Sequence, residues 1–484
     1  MFKKKRTKKI LLIVAGVLIA STLALVFIFF YINNRINNLI LGELENKNNV
    51  SIMSPEDKNL FTRLMPQLLG FDEEKTYLFL FLNNTELRPG GGFIGVYGIV
   101  SLNRGKVKIE HVEGSEIIDN NAPSTPKPVP PQPIADYLGL DRWWFRDSNW
   151  SPDFAESSKK ALEFYALEQG YKANEIDGVI GVTPTVLEEL LKIIGTVKAD
   201  GLTFDSANVT SKLEYEVEYG YKDRGIAVAN RKEVVGVFMK ELFKKMGITA
   251  ILNWQEYLDT AVRLSNEKQI LIYSKDVQLQ NQIEQLGWSA KVASTDDDYL
   301  LWVDANLGAL KTDHALDRNL RYSIEPQADG RFVATINMEY IHGGSFDWRT
   351  SRYLSYARVF VPEGVELVKI VRDGKVISSS NVDKGIELKK TWFGTFLSLE
   401  PNNKTNLSFS YYLPNRIAEK INNGLYSLKV QKQAGTEKYG LTFVLDFGKK
   451  LSGASPAEKQ EKWGDNIYFY ETDLSVDREV SVEF

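Results

Sequence analysis

The 484-residue sequence contains no cysteine. Disulfides, thiol nucleophiles and cysteine-held zinc or iron–sulfur centres are therefore excluded. Histidine is nearly as scarce: His111, His314 and His342 are the whole set, and no metal-ligand spacing relates them. There is no G-x-S-x-G elbow to carry a serine nucleophile and no Walker A lysine motif. Positive charge is not in excess either. Lysine and arginine number 59 against 63 aspartates and glutamates. Six of the basic residues stand within the first nine positions, so the rest of the chain carries 53 against 63, a net charge near −10. An acidic body lacks the basic footprint that nucleic acid requires, and nucleic acid is not an expected partner.

Apolar runs of spanning length are lacking with one exception. Ile10 to Ile32 gives 23 residues without a charge, long enough to cross a bilayer as a helix. Lys3, Lys4, Lys5, Arg6, Lys8 and Lys9 precede it, so the positive-inside rule keeps that end cytoplasmic and puts the remainder outside. A cleaved signal peptide usually has a shorter apolar region of about 7–15 residues and a small-residue cleavage site. Here Tyr31-Ile32-Asn33-Asn34-Arg35 follows the run, which favours an uncleaved, single-pass anchor. The expected location is the cell membrane, with most of the chain extracytoplasmic.

The length and the 43% hydrophobic content imply more than one packed domain. Residues 1–9 read as a basic tail, 10–32 as the anchor and 33–55 as a polar stalk. From 56 to 312 strands and helices alternate, the pattern of an α/β domain. "KTYLFLFL" (75–82) reads as a strand buried on both faces, and 93–102 and 106–112 as a hairpin. Prolines crowd 123–133, an exposed extended loop. Ser151 is the expected N-cap of a helix with Pro152 at its first position. "TPTVLEELLKIIG" reads as a helix ending at Gly195, and "YLLWVD" (299–304) as the last strand of this domain. From 313 to 484 short strands recur, with Asp329-Gly330 and Asp373-Gly374 as hairpin turns, the pattern of a β-sandwich.

Three stretches carry candidate chemistry. "NNTELRPGGGFIG" (83–95) satisfies G-x-G-x-x-G, but seven residues separate its strand from Gly90 and β-rich sequence follows, so a dinucleotide site fails on context. As an anion cradle, Gly90, Gly91 and Gly92 could present backbone N–H groups. Arg88 would add a planar fork, and Glu86 would hold a metal or orient that arginine. The alternative is a structural loop with a Glu86–Arg88 pair. "RWWFRDSNWSPDF" (142–154) sets Arg146, Asp147, Asn149 and Asp153 among three tryptophans before a helix. These residues suit an anion with a divalent cation, or else Asp153 serves the helix dipole and the tryptophans fill core. Arg224, Arg231 and Lys232 form the third group. Arg231 falls in the first turn of a helix, where a cation opposes the dipole unless an anion or a carboxylate offsets it.

Taken together, "NNTELRPGGGFIGVYG", "FRDSNWSPDFAES", "DGVIGVTPTVLEELLKIIGTV" and "DANLGALKTDHALDRNLRYSI" resemble successive motifs of a bacterial family called domain of unknown function 4012. The resemblance extends from about residue 60 into the β-rich tail and implies a membrane-anchored exported protein. More distantly, the order of features is similar to the LytR–CpsA–Psr phosphotransferases, which transfer glycopolymers from a polyprenyl-pyrophosphate carrier to peptidoglycan with magnesium. That similarity sets Glu86-Leu87-Arg88 in place of an Asp-x-Arg segment. It departs at Gly90-Gly91-Gly92-Phe93, where those enzymes have an arginine-aspartate motif, and at Asn230-Arg231-Lys232, where they have an arginine-arginine-glutamine run.

The expected fold is thus multi-domain α+β: a transmembrane helix, a LytR–CpsA–Psr-like α/β domain with a mixed central sheet, and a C-terminal all-β sandwich. The expected function is binding or Mg²⁺-dependent transfer of polyprenyl-pyrophosphate-linked glycopolymers. In it Arg88, Arg146 and Arg231 act on the diphosphate, Gly90–Gly92, Asn149, Arg224 and Lys232 bind substrate, and Glu86, Asp147 and Asp153 hold the metal. The alternative is a non-enzymatic cell-surface protein that binds a glycan or a protein.

Overall fold

A computed structural model of the chain describes residues 54–104, 106–226 and 233–484. The basic tail, the apolar run and the stalk up to residue 53 lie outside the described residues, as do Arg231 and Lys232. Among the described residues no helix is long and apolar enough to cross a membrane. The fold is mixed α+β and multi-domain, with several mixed sheets. The chain divides into two compact units. The first takes the described residues up to Asn83, Phe93–Val129 and Arg142–Lys291; the second takes Asn84–Gly92, Pro130–Asp141 and Val292–Phe484.

In the first unit five strands run in the order β3-β2-β1-β4-β7. They are β1 (Lys75–Asn83), β2 (Phe93–Asn103), β3 (Lys106–Gly114), β4 (Gly178–Val182) and β7 (Ile270–Ser274). The apolar run of β1 takes the centre, antiparallel to β2 and parallel to β4, because only a strand covered on both faces can bury every side chain from Thr76 to Leu80. A small hairpin of β5 (Val197–Ala199) and β6 (Leu202–Phe204) stands apart. The helices follow their apolar stripes. The first, α1 (Pro55–Leu68), starts on a Ser54 cap whose hydroxyl accepts from the Asp57 N–H. Next come α2 (Ser115–Asn121), α4 (Phe154–Leu167), α5 (Thr185–Ile194), α6 (Val209–Tyr215), α7 (Glu233–Asn266) and α8 (Val277–Gln285). The helix α7 continues through a kink at Asn253. One apolar core, including Phe79, Ile180, Leu190, Phe238 and Leu264, binds these elements.

The second unit contains two seven-stranded sheets. One runs β13-β12-β16-β10-β9-β18-β20 and the other β14-β15-β11-β8-β17-β21-β19, the outer strands being β12 (Glu366–Arg372), β13 (Lys375–Val376), β14 (Asp383–Glu387), β19 (Gly453–Ser455), β20 (Ile467–Asp473) and β21 (Arg478–Glu483). The former is built on β9 (Leu316–Pro326), β10 (Phe332–His342), β16 (Lys404–Tyr412) and β18 (Gly440–Asp446). The latter is built on β8 (Asp298–Asn306), β11 (Tyr353–Pro362), β15 (Lys390–Leu399) and β17 (Leu425–Gln431). Both contribute to one core: Trp302 and Val359 from the second sheet, Tyr322, Ile336, Phe409 and Phe443 from the first. The strand β10 alternates buried and half-buried residues along its length, as a sheet with one buried face requires. Two helices complete the unit, α3 (Gln132–Leu138) and α9 (Asn415–Asn422).

The strand 299–304, expected to close the α/β domain, pairs instead with β11 and β17 of the second unit. All nine residues of β8 are buried. A run apolar on both faces carries no alternation that tells which sheet receives it.

Candidate functional site

In the first unit the tryptophan-rich stretch 142–150 folds into a tight 3₁₀ turn at Phe145–Asp147. Aromatic packing fixes it. Phe145 sits edge-on to Tyr97 at 5.3 Å and tilted against Tyr165 at 5.7 Å. Trp143 stands edge-on to Phe164 at 5.1 Å, and its indole N–H donates to the Asp147 carbonyl at 2.8 Å. The neighbouring α2 is tied to β2 by the Ser115 hydroxyl, which donates to the Ile94 carbonyl at 2.6 Å.

These supports bring three acids and two arginines together. Arg146 Nε lies 3.3 Å from Asp119 Oδ2 and 3.8 Å from Asp147 Oδ2. The Phe145 N–H donates to Glu168 Oε1 at 3.0 Å. Arg142 donates to the Pro123 carbonyl at 2.6 Å, and its guanidinium covers the Trp144 ring at 4.4 Å. Asp119 and Glu168 are buried, whereas the Arg146 side chain keeps 27% exposure. Its Nη groups make no hydrogen bond among the described residues, so the fork is open to a ligand.

The surroundings of the two carboxyls favour a proton on the pair. Burial, aided by Glu168, pushes Asp119 up to about 9 against the opposing pull of Arg146. Burial also raises Glu168, although the Asp119 hydrogen bond, the Phe145 N–H and both arginines counter it. As two carboxylates they would leave both Asp119 oxygens and Glu168 Oε2 buried without a hydrogen-bond donor; a proton carried by Asp119 and donated to Glu168 would engage two of these three oxygens and lower that cost. Asp119 stands in the last turn of α2 and Glu168 caps the C-terminal end of α4. The helix dipoles therefore also disfavour negative charge at both.

Asp147 and Asn149 are buried beside the turn. Asp153, not Ser151, is the N-cap of α4: its Oδ1 accepts from the Ala155 and Glu156 N–H groups at 3.0 and 3.2 Å. Ser151 instead accepts from the Asp153 N–H and, through its carbonyl, from Ser157. Arg224 pairs with Asp200 at 2.5 Å and Glu216 at 3.0 Å. The carboxylate that offsets a cation is thus present at Arg224, while Arg231 and Lys232 lie outside the described residues.

Glu86, Arg88 and the glycines belong to the second unit, where they are built into the fold. Arg88 is 3% exposed and donates to the Asn306 and Leu87 carbonyls and to Glu86. The Leu87 N–H donates to Asp313 and the Asn306 N–H to the Leu87 carbonyl. The backbone room beside the glycines is filled by chain. A Cβ on Gly435 would lie 1.8 Å from the Gly91 carbonyl oxygen, at a φ of +76°. Gln433 donates to the Arg88 carbonyl and Asn84 to the Gly435 carbonyl. Among the described residues no three carboxylates or histidines are grouped to hold a metal ion. Asp153 is committed to its helix and Glu86 to Arg88, so the trio expected to hold Mg²⁺ does not fit it.

Asp119 and Glu168 were not named from sequence. The available signal was the same dipole argument applied to Arg231: an acid at the C-terminal end of a helix is out of place unless it is neutral or paired.

No curated protein matches the sequence. Several solved structures show slight likeness. A Legionella pneumophila protein described as a nutrient binding protein shares 8% identity over 38% of this chain and 71% of its own, with a TM-score of 0.26. Leukotriene A4 hydrolase of Saccharomyces cerevisiae shares 11% over 35% and 28%, at 0.21. An M1 zinc metallopeptidase of Deinococcus radiodurans shares 8% over 36% and 43%, at 0.18. The chain spans less than half the length of either hydrolase, and likeness of this degree carries no argument about function. Residues 72–218, which contain both the glycine loop and the arginine–carboxyl cluster, match the family model for the protein of unknown function DUF4012, and the match supports that assignment for this segment.

Proposed function

We propose that the protein is a membrane-anchored, extracytoplasmic component of the cell envelope that binds the pyrophosphate of a polyprenyl-linked glycopolymer. In this reading it serves transfer of that polymer to an acceptor such as peptidoglycan, as the LytR–CpsA–Psr enzymes do. The observation that supports it is the open Arg146 fork above a carboxyl pair reduced to a single negative charge. A planar guanidinium with free Nη donors suits a phosphate oxygen pair. Were both Asp119 and Glu168 ionised beside Asp147, the neighbourhood would repel the anion that Arg146 attracts; a proton on the pair removes one of those negative charges. Arg142, stacked on Trp144, adds a second positive charge. Arg88 takes no part, since its donors serve backbone carbonyls and Glu86. If transfer occurs, the acceptor hydroxyl oxygen bonds to the sugar-bearing phosphorus, polyprenyl phosphate leaves, and the hydroxyl proton passes to water.

The test is binding and turnover of a polyprenyl-pyrophosphate-linked sugar by residues 33–484, with and without Mg²⁺. Losing a hydrogen-bonded charge is worth about 1.5–3 kcal/mol, so Arg146→Ala should weaken binding roughly ten- to a hundred-fold. Arg146→Lys should recover only part of it, and folded Arg88→Ala should bind as the parent does. Equal binding by the parent and Arg146→Ala, with no turnover, would remove the proposal.

A further inference from the structure

In the second unit a polar cleft of about 440 Å³ opens between three connections. They are the start of β9 and the segment leading into it (His314, Ala315, Asp317), the β10–β11 loop (Gly343, Gly344, Ser345, Asp347, Thr350) and the β15–β16 turn at Asn402. The loop is held in place. Asp347 Oδ1 accepts from the Arg349 and Thr350 N–H groups, both at 2.7 Å. The Gly343 N–H donates to the Ala315 carbonyl at 2.9 Å, and His342 Nε2 lies 2.9 Å from the Ser351 carbonyl. Gly344 permits the close approach: a Cβ there would lie 2.7 Å from Thr350 Cγ2. The β15–β16 turn is joined to the same frame, because the Asn402 N–H donates to the His342 carbonyl at 2.8 Å.

On this rigid frame the Asp317 carboxylate, the Ser345 hydroxyl and the Asn402 amide make no side-chain hydrogen bond among the described residues. All three are exposed. Phe346, next to Ser345 on the same loop, is 66% exposed, an apolar ring held in water. We infer that this cleft binds an uncharged hexopyranose unit of a glycan, with Asp317 and Asn402 bonding to adjacent hydroxyls and Phe346 covering an apolar face of the sugar ring.

Three features select that ligand. The wall mixes a pure acceptor, an amide that both donates and accepts, and a hydroxyl, which matches neighbouring sugar hydroxyls that each donate and accept. The two carboxylates, Asp317 and Asp347, oppose an anion. Asp347 stays ionised: burial would raise it, but the Arg349 and Thr350 N–H groups, the Thr350 hydroxyl and His314 outweigh burial and hold it below the usual range. A cation is also disfavoured, because no group of three acids or histidines among the described residues is arranged for one. The volume falls within the roughly 300–1,000 Å³ of small-molecule sites.

This inference uses residues distinct from Arg146 and stands apart from the pyrophosphate reading. The experiment is saturation-transfer NMR and calorimetry on the full chain, in micelles of a detergent without a sugar headgroup, with chitotriose and maltotriose as probes. Saturable binding of at least one is expected, weakened at least tenfold by Asp317→Asn combined with Asn402→Ala, and likewise by Phe346→Ala. These exposed positions leave the core intact, which circular dichroism would verify, and Arg146→Ala should leave the sugar affinity unchanged. No saturable binding of either probe, equal binding by the parent and the double variant, or saturable Ca²⁺ binding that displaces the sugar would each overturn the inference.

Discussion

Asp119→Asn tests the shared proton directly. Asp119 is 2% exposed, with its carboxyl pushed up to about 9 by burial and by Glu168. Between the ordinary aspartate value of 3.8 and about 9 the native state holds one proton that the unfolded chain has released. Stability from this group is therefore full below the lower value and is lost as pH rises toward the upper one. One proton gives a slope of about 1.4 kcal/mol per pH unit, or about 4 kcal/mol between pH 5 and pH 8. Asparagine has nearly the shape of the protonated acid, keeps an N–H donor toward Glu168 and does not titrate. The Asp119→Asn protein should therefore lack this slope and gain on the parent steadily as pH rises. The slope holds wherever the pH lies between the unfolded value and the folded-state value.

The assay is pulse proteolysis in a urea series at pH 5, 6, 7 and 8, following fragments of the first unit so that the second does not obscure its transition. The quantity read is the stability difference between the parent and Asp119→Asn at each pH. A difference constant to within about 1 kcal/mol across the range would mean that no extra proton is held. The carboxyl pair, and the charge argument that opens Arg146 to anions, would fail with it.

Two further outcomes follow from the same geometry. Asp153→Ala removes the α4 cap and should cost about 1 kcal/mol in a urea midpoint, with the Mg²⁺ response of ligand binding unchanged; an unchanged midpoint with a lost Mg²⁺ response would return Asp153 to the metal. Gly435→Ala meets both a φ of +76° and the Gly91 carbonyl oxygen at 1.8 Å, so the second unit should lose at least about 2 kcal/mol. A stability equal to that of the parent would refute the account of the glycine loop as packed chain.

What was legible in the sequence was local. The buried run of β1, the β2–β3 hairpin, the Gly195 stop of α5 and the strand turns at Asp329-Gly330 and Asp373-Gly374 are written in period and turn chemistry. What was not legible depends on distant partners. β8 is apolar throughout and gives no sign of the sheet it joins. Gln433, which receives the glycine loop, lies 345 positions beyond Arg88. Glu168 meets the turn at Phe145 across 23 positions, and no spacing rule links either residue to Asp119. At the α4 start two capping residues stood two positions apart, Ser151 and Asp153, and both are good caps. The observed helix begins after the second, where the Asp153 carboxylate accepts two N–H groups at once.

The two arginines that the sequence treated alike show why motif reading stops where it does. Arg88 and Arg146 each sit next to an acid, in loops rich in residues that bind anions. An arginine contributes to recognition only through donors that the fold leaves unused. Arg88 spends its donors on two backbone carbonyls and a carboxylate at 3% exposure. Withdrawing it would strand buried acceptors, so its place there is explained by folding alone. Arg146 offers the fold only Nε, toward Asp119 and Asp147, and its side chain keeps 27% exposure. Asp119 beside it is pushed toward its neutral form by burial and by Glu168, against the pull of Arg146. That asymmetry, and not the glycine pattern, is what singles out the 142–154 stretch and its two acid partners as the place where a ligand anion would be met.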